Sequence, residues 1–189
     1  MRQLTILIDM DDVIEQLLHA WISYLNDKHN LDVKMSDVTS YDMRETFTSL
    51  TEEEIFAPLS LECFWETVKP VPGAVDTIRK LIEDGHNVYI VTASAPHTIE
   101  LKLEKVLFKY FPFISYKNVI VAHNKQMIKG DVLIDDAPFN LVGGDYRKLL
   151  MDSPHNAQFK CDGEDVPIRV YNWGQIYDYM YALSNEDNN

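Results

Sequence analysis

Acidic residues follow two apolar segments of this sequence that predict buried strands. Asp9 and Asp11 come directly after the first segment, and Asp135 and Asp136 end a later one. Any one of these acids alone would be ordinary in a loop or at a helix start. Two acidic pairs at one edge of a sheet would raise each other's pKa values unless a cation balanced their charge. Mg²⁺ prefers carboxylate, phosphate and water oxygens, so the two pairs predict a magnesium site.

Hydroxyl groups and a lysine occupy other predicted strand ends. Thr92 and Ser94 follow an apolar segment and precede a predicted helix. Hydroxyls and backbone N–H groups in such a turn bind phosphate oxygens, whereas a helix N-cap at Ser94 explains the same residues equally well. Lys125 follows a third apolar segment. Its ammonium would hold a phosphate beside a metal, although most lysines are solvated surface residues.

Strands and helices alternate in the segments that would position these side chains. Predicted strands cover residues 4–8, 87–91, 119–122, 132–134, 148–151 and 168–171, and predicted helices cover residues 14–26, 74–83, 98–110 and 175–183. This alternation is typical of an α/β fold with a parallel sheet flanked by helices. Ligands of such sheets bind beyond the carboxyl ends of the strands, so the candidate residues would share one site.

The segment between the first predicted helix and residue 69 has a different composition. It contains acidic clusters and several aromatic residues but no run typical of a core strand. Thr51 and Glu54 form a capping-box pattern within it, and the turn sequence Pro70-Val71-Pro72-Gly73 ends it. We therefore predict a core of residues 1–15 and 70–189 and a small, mostly helical insert of residues 16–69.

Length and composition restrict the class of protein. The chain has 189 residues, of which 46% are hydrophobic and 25% are charged, as expected for one folded domain with a small insert. The formal net charge is −13. A surface this acidic repels a phosphate backbone at long range, so we expect no nucleic-acid polymer as a partner. The composition predicts no particular oligomeric state.

Cysteine usage and hydropathy bear on location. Cys63 and Cys161 are the two cysteines and do not form a CxxC motif, which favours free thiols in a reducing compartment over a disulfide or a zinc site. The N-terminal apolar run ends in acids without a cleavage pattern, and no apolar stretch reaches the roughly 18 residues of a membrane span. The six histidines show neither HxH nor HExxH spacing, so we assign none to a metal. We expect a cytoplasmic protein without a membrane partner.

Four segments occur in the order of the motifs of the haloacid dehalogenase (HAD) superfamily of phosphotransferases. Residues 6–14 resemble the first motif, Asp-x-Asp after a hydrophobic strand, and residues 88–92 resemble the second, a strand ending in Thr. Lys125 resembles the third motif, and residues 132–136 resemble the fourth, a strand ending in paired acids. The ordered set spans about 130 residues, which makes it far more specific than a single Asp-x-Asp.

Within this superfamily the sequence is similar to the 5′(3′)-deoxyribonucleotidases. The shared features are Asp-Met-Asp in the first motif, the helical insert after it, Pro72-Gly73-Ala74 before the next helix, and Leu133-Ile134-Asp135-Asp136. The sequence departs from these enzymes at Asp12, where they commonly have Gly, and at Thr92-Ala93-Ser94, where they usually have Thr-Ser. These departures bear on which substrate is bound and leave the expected class of reaction unchanged.

The resemblance implies a HAD-like, Rossmann-like parallel sheet with a helical cap, and a two-step phosphoryl transfer. Asp9 would be the nucleophile that forms an aspartyl-phosphate. Asp11 would protonate the leaving alkoxide and then deprotonate the attacking water. Mg²⁺ would bind Asp9, the backbone carbonyl of Asp11 and one of Asp135 or Asp136, with Asp136 favoured as the direct ligand.

The resemblance also assigns the insert as a cap over the leaving-group side of the site. Its aromatic residues would either stack on a nucleobase or pack the cap against the core; these are Trp21, Tyr41, Phe64 and Trp65. Phosphate would be bound by Thr92, Ser94 and Lys125. Lys102, on the helix that follows, could also help to bind phosphate, but the expectation for it is a solvated face.

Four hypotheses for the function follow. The leading one is a Mg²⁺-dependent phosphomonoesterase for nucleoside monophosphates, with deoxyribonucleotides preferred. Another small phosphoester, such as a phosphosugar, fits the same motifs because they handle only the phosphoryl group. A receiver-like signalling domain is a third hypothesis, although its lysine would follow the acidic strand rather than precede it. A catalytically inactive binding module is the fourth, and the presence of every expected catalytic side chain argues against it.

Overall fold

Six parallel strands form one sheet at the centre of the part of the chain that the structure describes. The computed structural model of the chain describes residues 1–162 and 164–186, so residue 163 and the last three residues of the predicted core lie outside the described part. The strands are β1 Thr5–Ile8, β2 Asn87–Thr92, β3 Val119–Val121, β4 Val132–Asp135, β5 Arg147–Met151 and β6 Ile168–Val170. Their order in the sheet is β3-β2-β1-β4-β5-β6, and every neighbouring pair is parallel.

Helices cover the sheet and form the insert. They are α1 Leu17–His29, α2 Met43–Thr46, α3 Glu52–Phe56, α4 Glu62–Trp65, α5 Ala74–Glu83, α6 Pro96–Lys102, α7 Phe108–Tyr110, α8 Pro138–Leu141 and α9 Trp173–Asn185. A π-helical segment, Leu103–Leu107, joins α6 to α7. The predicted α/β class with a parallel sheet and flanking helices is confirmed.

The strands are buried because they are continuous apolar runs. Side chains of a strand alternate between its two faces. In β1, Ile6 and Ile8 pack into the larger hydrophobic cluster, which includes residues of α5 and α9. Leu7 packs into the cluster on the other face, together with Leu133 and Leu150. Burial on both faces is typical of a parallel sheet and fixes the register of each strand.

The sheet register brings the ends of the central strands together. Ile8 is level with Ile90 of β2 and Ile134 of β4. The strand order reverses at β1, because the chain continues to one side through β2 and β3 and later to the other side through β4. A crevice forms where the order reverses, outside the carboxyl ends of the strands.

The first helix begins later than the sequence predicts. We expected it from residue 14, whereas α1 begins at Leu17. The chain first makes a turn in which Asp12 adopts a positive φ of 54°. The carboxylate of Asp12 then accepts a hydrogen bond from the backbone N–H of Leu18 at 3.0 Å, which satisfies a donor at the helix start.

The insert has a hydrophobic cluster of its own. Buried residues from α1 through Val68 pack together, with Val106 of the π-helical segment added from the core. The two ends of the insert meet, because the backbone N–H of Gln16 donates to the carbonyl of Lys69 at 2.8 Å. This pairing agrees with a division of the chain at residues 15 and 70, which stays a prediction. No helix in the described ranges combines the length and hydropathy needed to span a membrane.

Candidate active site

Three buried carboxylates meet at the carboxyl ends of β1 and β4. Asp9 follows β1, Asp135 ends β4 and Asp136 comes next. One carboxylate oxygen from each lies within 4.8 Å of the others, and all three residues are buried. The sequence predicts that four acids share one volume. The neighbouring strands bring three of them together, whereas the fourth, Asp11, is not in this group and contacts Lys102 instead.

Lys125 lies between two of these acids. Its Nζ is 2.5 Å from Oδ1 of Asp9 and 2.7 Å from Oδ2 of Asp135, and its side chain is 1% exposed. Burial disfavours the charged ammonium, but Asp9 and Asp135 outweigh burial and raise the pKa of Lys125. The lysine is therefore a charged group of the site rather than a solvated surface residue.

The negative charge of the carboxylates still exceeds the positive charge around them. Burial raises the pKa of Asp9 to about 7, against the opposing effect of Lys125. Burial, with the charges of Asp12 and Asp135 next, raises the pKa of Asp136 well above its usual range. Closely spaced oxygen donors with unbalanced negative charge suit a hard divalent cation such as Mg²⁺.

Lys102 enters the site from the helix after β2, contrary to the expected solvated position. Its Nζ lies 2.6 Å from Oδ1 of Asp11 and donates to Thr92 Oγ1 at 2.8 Å and Ser94 Oγ at 3.3 Å. The side chain is 1% exposed. The spacing of Thr98 and Lys102 predicts that they share one helix face, but it does not indicate that this face is buried, as both residues are.

The second motif does not act as a helix cap. Ala95 is the N-cap residue of α6, and the cap has no side-chain hydrogen bond. Ser94 instead accepts from Lys102, and the fully buried Thr92 does the same. The hydroxyls and the ammonium therefore form one polar cluster beside Asp11, which removes the N-cap alternative for Ser94.

The pKa values of Asp11 and its neighbour Glu15 are shifted in opposite directions. Burial opposes ionisation of Asp11, but the adjacent Lys102 outweighs burial and lowers its pKa. Glu15 is completely buried, and burial together with the charge of Asp11 raises its pKa well above the usual range. Sequence reasoning missed Glu15, since a glutamate at the start of a predicted helix is ordinary.

Asp12 serves the fold and also affects the site. Its carboxylate is directed at the backbone of Leu18, as described for the start of α1. Burial raises the pKa of Asp12 to about 8, and the charges of Asp11 and Asp9 add to this effect. The extra carboxylate therefore accepts a hydrogen bond at the start of α1, while its charge also raises the pKa of Asp136.

A cavity of about 520 Å³ lies between the strand ends and the insert. Its polar wall includes Asp11, Ser94, Lys102 and Asp136, and its apolar wall includes Trp21, Tyr41, Phe56, Leu59 and Trp65. The indole N–H groups of Trp21 and Trp65 donate to backbone carbonyls within the insert. These two tryptophans therefore offer ring surface rather than hydrogen bonds to the cavity.

The predicted aromatic set is only partly at the cavity. Trp21, Tyr41 and Trp65 line it, whereas Phe64 does not and is completely buried. Phe64 packs edge-on against Tyr24 and Trp65 in the core of the insert, so the packing alternative describes it. Phe56 lines the cavity although the sequence did not single it out.

Tyr41 joins the insert to the core at the cavity. Its ring packs edge-on against Phe139, with 5.1 Å between centroids, and against His155, with 5.4 Å. His155 also lines the cavity, and its Nε2 lies 3.3 Å from Oδ2 of Asp136. No spacing pattern identified this histidine, because its partners come from distant parts of the chain.

Comparisons with known proteins identify the family. Residues 2–185 match the family described as "5′ nucleotidase, deoxy (Pyrimidine), cytosolic type C protein". The 5′(3′)-deoxyribonucleotidase of Bacillus subtilis is 34% identical over 172 residues, which cover 90% of this chain and 95% of that protein. The 5′(3′)-deoxyribonucleotidase of Clostridium acetobutylicum is 31% identical over 173 residues, covering 92% of each chain.

Solved structures share the fold. A HAD family hydrolase from Deinococcus radiodurans, with bound phosphate and sodium, superimposes with a TM-score of 0.60 at 15% identity and covers 96% of each chain. The HAD-hydrolase YfnB from Bacillus subtilis, bound to magnesium, has a TM-score of 0.58 at 17% identity and covers 95% of this chain and 99% of that chain. These likenesses confirm the HAD-like architecture. The chain is therefore a phosphoric monoester hydrolase and belongs to the deoxy (pyrimidine) cytosolic type C family of 5′ nucleotidases.

Proposed function

We propose that this hydrolase is a Mg²⁺-dependent phosphomonoesterase that converts nucleoside monophosphates, deoxyribonucleotides in particular, through an aspartyl-phosphate intermediate. The observation that carries the proposal is the meeting of Asp9, Asp135 and Asp136 beside Lys125. Of these residues, Asp136 also lines the aromatic cavity. The relatives named 5′(3′)-deoxyribonucleotidase support the substrate class.

Asp9, Asp136 and the backbone carbonyl of Asp11 are the groups that would hold Mg²⁺. Both oxygens of Asp135 already accept hydrogen bonds, Oδ2 from Lys125 and Oδ1 from the backbone N–H of Ala137. Asp136 instead has a raised pKa that reflects unbalanced negative charge, which favours it as the direct ligand. Bound Mg²⁺ supplies positive charge that offsets the phosphoryl oxygens and the attacking carboxylate.

The reaction would proceed in two displacements at phosphorus. In the first, a carboxylate oxygen of Asp9 forms a bond to phosphorus as the bond to the leaving alkoxide breaks. Asp11 donates a proton to that alkoxide. In the second, Asp11 takes a proton from water, whose oxygen attacks phosphorus, releases inorganic phosphate and regenerates Asp9.

Asp11 needs a proton for the first step, although Lys102 lowers its pKa. Binding of the substrate would raise the pKa of Asp11 again, because a phosphate monoester brings negative charge next to Asp11 and Lys102. A nearby negative charge raises the pKa of a carboxyl group. Binding of substrate therefore shifts Asp11 towards the protonated form that the first step requires.

Local cations offset the acidity of the whole chain. The net charge of −13 opposes an anionic ligand, but Lys102 and Lys125 are both buried at the strand ends. The hydroxyls of Thr92 and Ser94 lie within hydrogen-bond distance of Lys102. We assign the phosphate of the substrate to these two lysines and two hydroxyls, since a buried ammonium interacts more strongly with an anion than an exposed one does.

The insert, residues 16–69, would act as the cap that recognises the leaving group. The cavity volume of about 520 Å³ lies within the range of small-molecule sites. Its apolar wall is built largely from aromatic rings of the insert, and such rings favour a flat nucleobase by stacking. A phosphosugar lacks this flat face, so the aromatic wall favours the nucleotide over the sugar alternative.

The exposed cysteines, Cys63 and Cys161, are both free. Free thiols agree with a reducing compartment, so we also propose that the enzyme works in the cytoplasm.

A substrate panel tests the proposal. Deoxyribonucleotides, ribonucleotides and sugar phosphates are compared at fixed Mg²⁺, with phosphate release as the measurement. We expect the highest kcat/KM for deoxyribonucleoside monophosphates and loss of activity in Asp9→Asn. A clear preference for sugar phosphates would remove the nucleotidase assignment, and full activity in Asp9→Asn would reject the nucleophile.

A further inference from the structure

We propose that Asn156, braced by Arg169, is a positioning residue that holds the metal-binding acid Asp136 in place. The inference rests on the proposed function, because it gives Asp136 the role of a Mg²⁺ ligand. Asn156 is 2% exposed. Its Nδ2 donates to the backbone carbonyl of Asp136 at 2.7 Å and to that of Met151 at 2.8 Å. One amide group therefore links the ends of β4 and β5.

The orientation of this amide is fixed by its other partners. Oδ1 of Asn156 accepts from Nη1 of Arg169 at 2.6 Å and from the backbone N–H of Ser153 at 3.3 Å. Both partners can only donate, and both carbonyls at Nδ2 can only accept. If the amide were flipped, Nδ2 would face the two donors and Oδ1 would face the two carbonyl oxygens. The amide therefore has one orientation.

Arg169 anchors the Asn156 amide to β6. Its Nη2 donates to the backbone carbonyls of Asn156 at 3.0 Å and Phe159 at 2.9 Å. Its Nη1 also donates to Asp152 at 2.7 Å. A planar guanidinium with several simultaneous partners holds its neighbours in a fixed geometry.

A second side chain from the same turn contacts the Asp136 carbonyl. Nε2 of His155 lies 3.2 Å from this oxygen, and Nδ1 lies 2.9 Å from the hydroxyl of Ser153. A carbonyl oxygen only accepts, so Nε2 carries the hydrogen and Nδ1 accepts from Ser153. The main chain of Asp136 therefore receives two side-chain donors from Pro154–Asn156, a short 3₁₀ turn.

These bonds matter because Asp136 lies beyond the last residue of β4. The sheet ladder fixes the chain up to Asp135, and the donors from the turn hold the next peptide. Partners that orient a metal ligand typically change metal affinity by about 10–100-fold when they are removed. A brace that serves only the stability of the fold would leave metal affinity unchanged in the folded protein.

The test measures Mg²⁺ binding to the intact protein by calorimetry, without substrate. Asn156→Ala removes both donors, and Asn118→Ala is the matched control. Asn118 also donates from Nδ2 to a backbone carbonyl, that of Val88 at 3.0 Å, and it is not among the residues of the candidate site. We expect the Kd for Mg²⁺ to rise about 10–100-fold in Asn156→Ala and to stay within about twofold in the control.

Circular dichroism in EDTA establishes that Asn156→Ala is folded. A folded Asn156→Ala that binds Mg²⁺ within about twofold of the parent would overturn the positioning role. If Asn156→Ala does not fold, Arg169→Lys decides, because it leaves Asn156 in place and removes the planar fork. We expect several-fold weaker Mg²⁺ binding in Arg169→Lys, and parental binding there would overturn the inference.

The parent protein separates this inference from the proposed function. A parent that binds no Mg²⁺ would reject the proposed metal dependence and the positioning role with it. A parent that binds Mg²⁺ and hydrolyses nucleotides, with unchanged binding in the variants, would reject the positioning role alone.

Discussion

Nζ of Lys102 lies 2.6 Å from Oδ1 of Asp11, and the lysine side chain is almost completely buried. The pair joins the helix after β2 to the turn after β1. Burial disfavours the charge on Lys102, but Asp11 and Glu15 outweigh burial and raise the pKa of the lysine. The contact therefore keeps an ammonium beside the proposed acid and the hydroxyls proposed to bind phosphate, those of Thr92 and Ser94.

Lys102→Met should remove this ammonium and strongly reduce turnover. The loss of one buried donor at a reacting group typically lowers kcat by about 10²–10³-fold, so we expect kcat/KM for nucleotides to fall by at least about 100-fold. The matched control is Lys109→Met, an exposed position on α7, which should leave kcat/KM unchanged. Steady-state kinetics at saturating Mg²⁺ makes the comparison, and parental activity in Lys102→Met would contradict the role.

The raised pKa of Asp9 predicts a pH-dependent stability of the metal-free protein. Burial raises this pKa from 3.8 to about 7. Between these values the folded protein keeps a proton that the unfolded chain releases, so the free energy of unfolding falls as pH rises from about 4 to about 7. Asp9→Asn should make this fall shallower and should stabilise the metal-free protein at pH 8.

Urea unfolding in EDTA between pH 5 and pH 8 measures this effect. Asp76→Asn, an exposed position on α5, is the control and should keep the parental pH dependence. An Asp9→Asn variant with the same pH dependence as the parent would show that the carboxyl group is not the source.

Asp12 should tolerate Asn but not Ala. Its φ of 54° suits Asp and Asn, and an Asn side chain can still accept from the N–H of Leu18. Asp12→Asn should therefore keep the parental stability or exceed it, because it removes a half-buried acid whose pKa desolvation raises to about 8. Asp12→Ala should lower the free energy of unfolding by about 1–3 kcal/mol, because it removes the hydrogen bond to the N–H of Leu18 and strains the backbone. Equal stability of the two variants in urea would reject this explanation.

Phe56 should contribute to substrate binding, whereas Phe64 should contribute to stability. Phe56 lines the cavity and packs edge-on against Trp21, and loss of one aromatic partner of a base typically removes about 1–3 kcal/mol of binding. Phe56→Ala should raise KM for a nucleotide by about 5-fold or more, with little change for a small phosphoester such as glycerol phosphate. Phe64→Leu should leave both KM values unchanged and lower the free energy of unfolding by about 1–3 kcal/mol. An opposite pattern in the two variants would reverse the assignments.

The sequence alone determined the sheet and the acids at its edge. Strands of a parallel sheet are continuous apolar runs, so their positions and the residues that follow them are local properties of the chain. The ends of β1 and β4, with Asp9, Asp11, Asp135 and Asp136, could therefore be predicted. Lys125 could be included because its place in an ordered motif series is also local.

Only the tertiary structure decided the roles of Lys102, Glu15, Asn156 and Phe64. A lysine on a helix has the same local sequence whether its face meets solvent or the end of a strand. Asn156 donates to the carbonyl of Asp136, which lies 20 residues earlier in the chain. Which aromatic ring of the insert faces the cavity likewise depends on how α1, α3 and α4 pack. These properties follow from contacts between residues far apart in the chain, and such contacts exist only after the sheet and the insert have folded together.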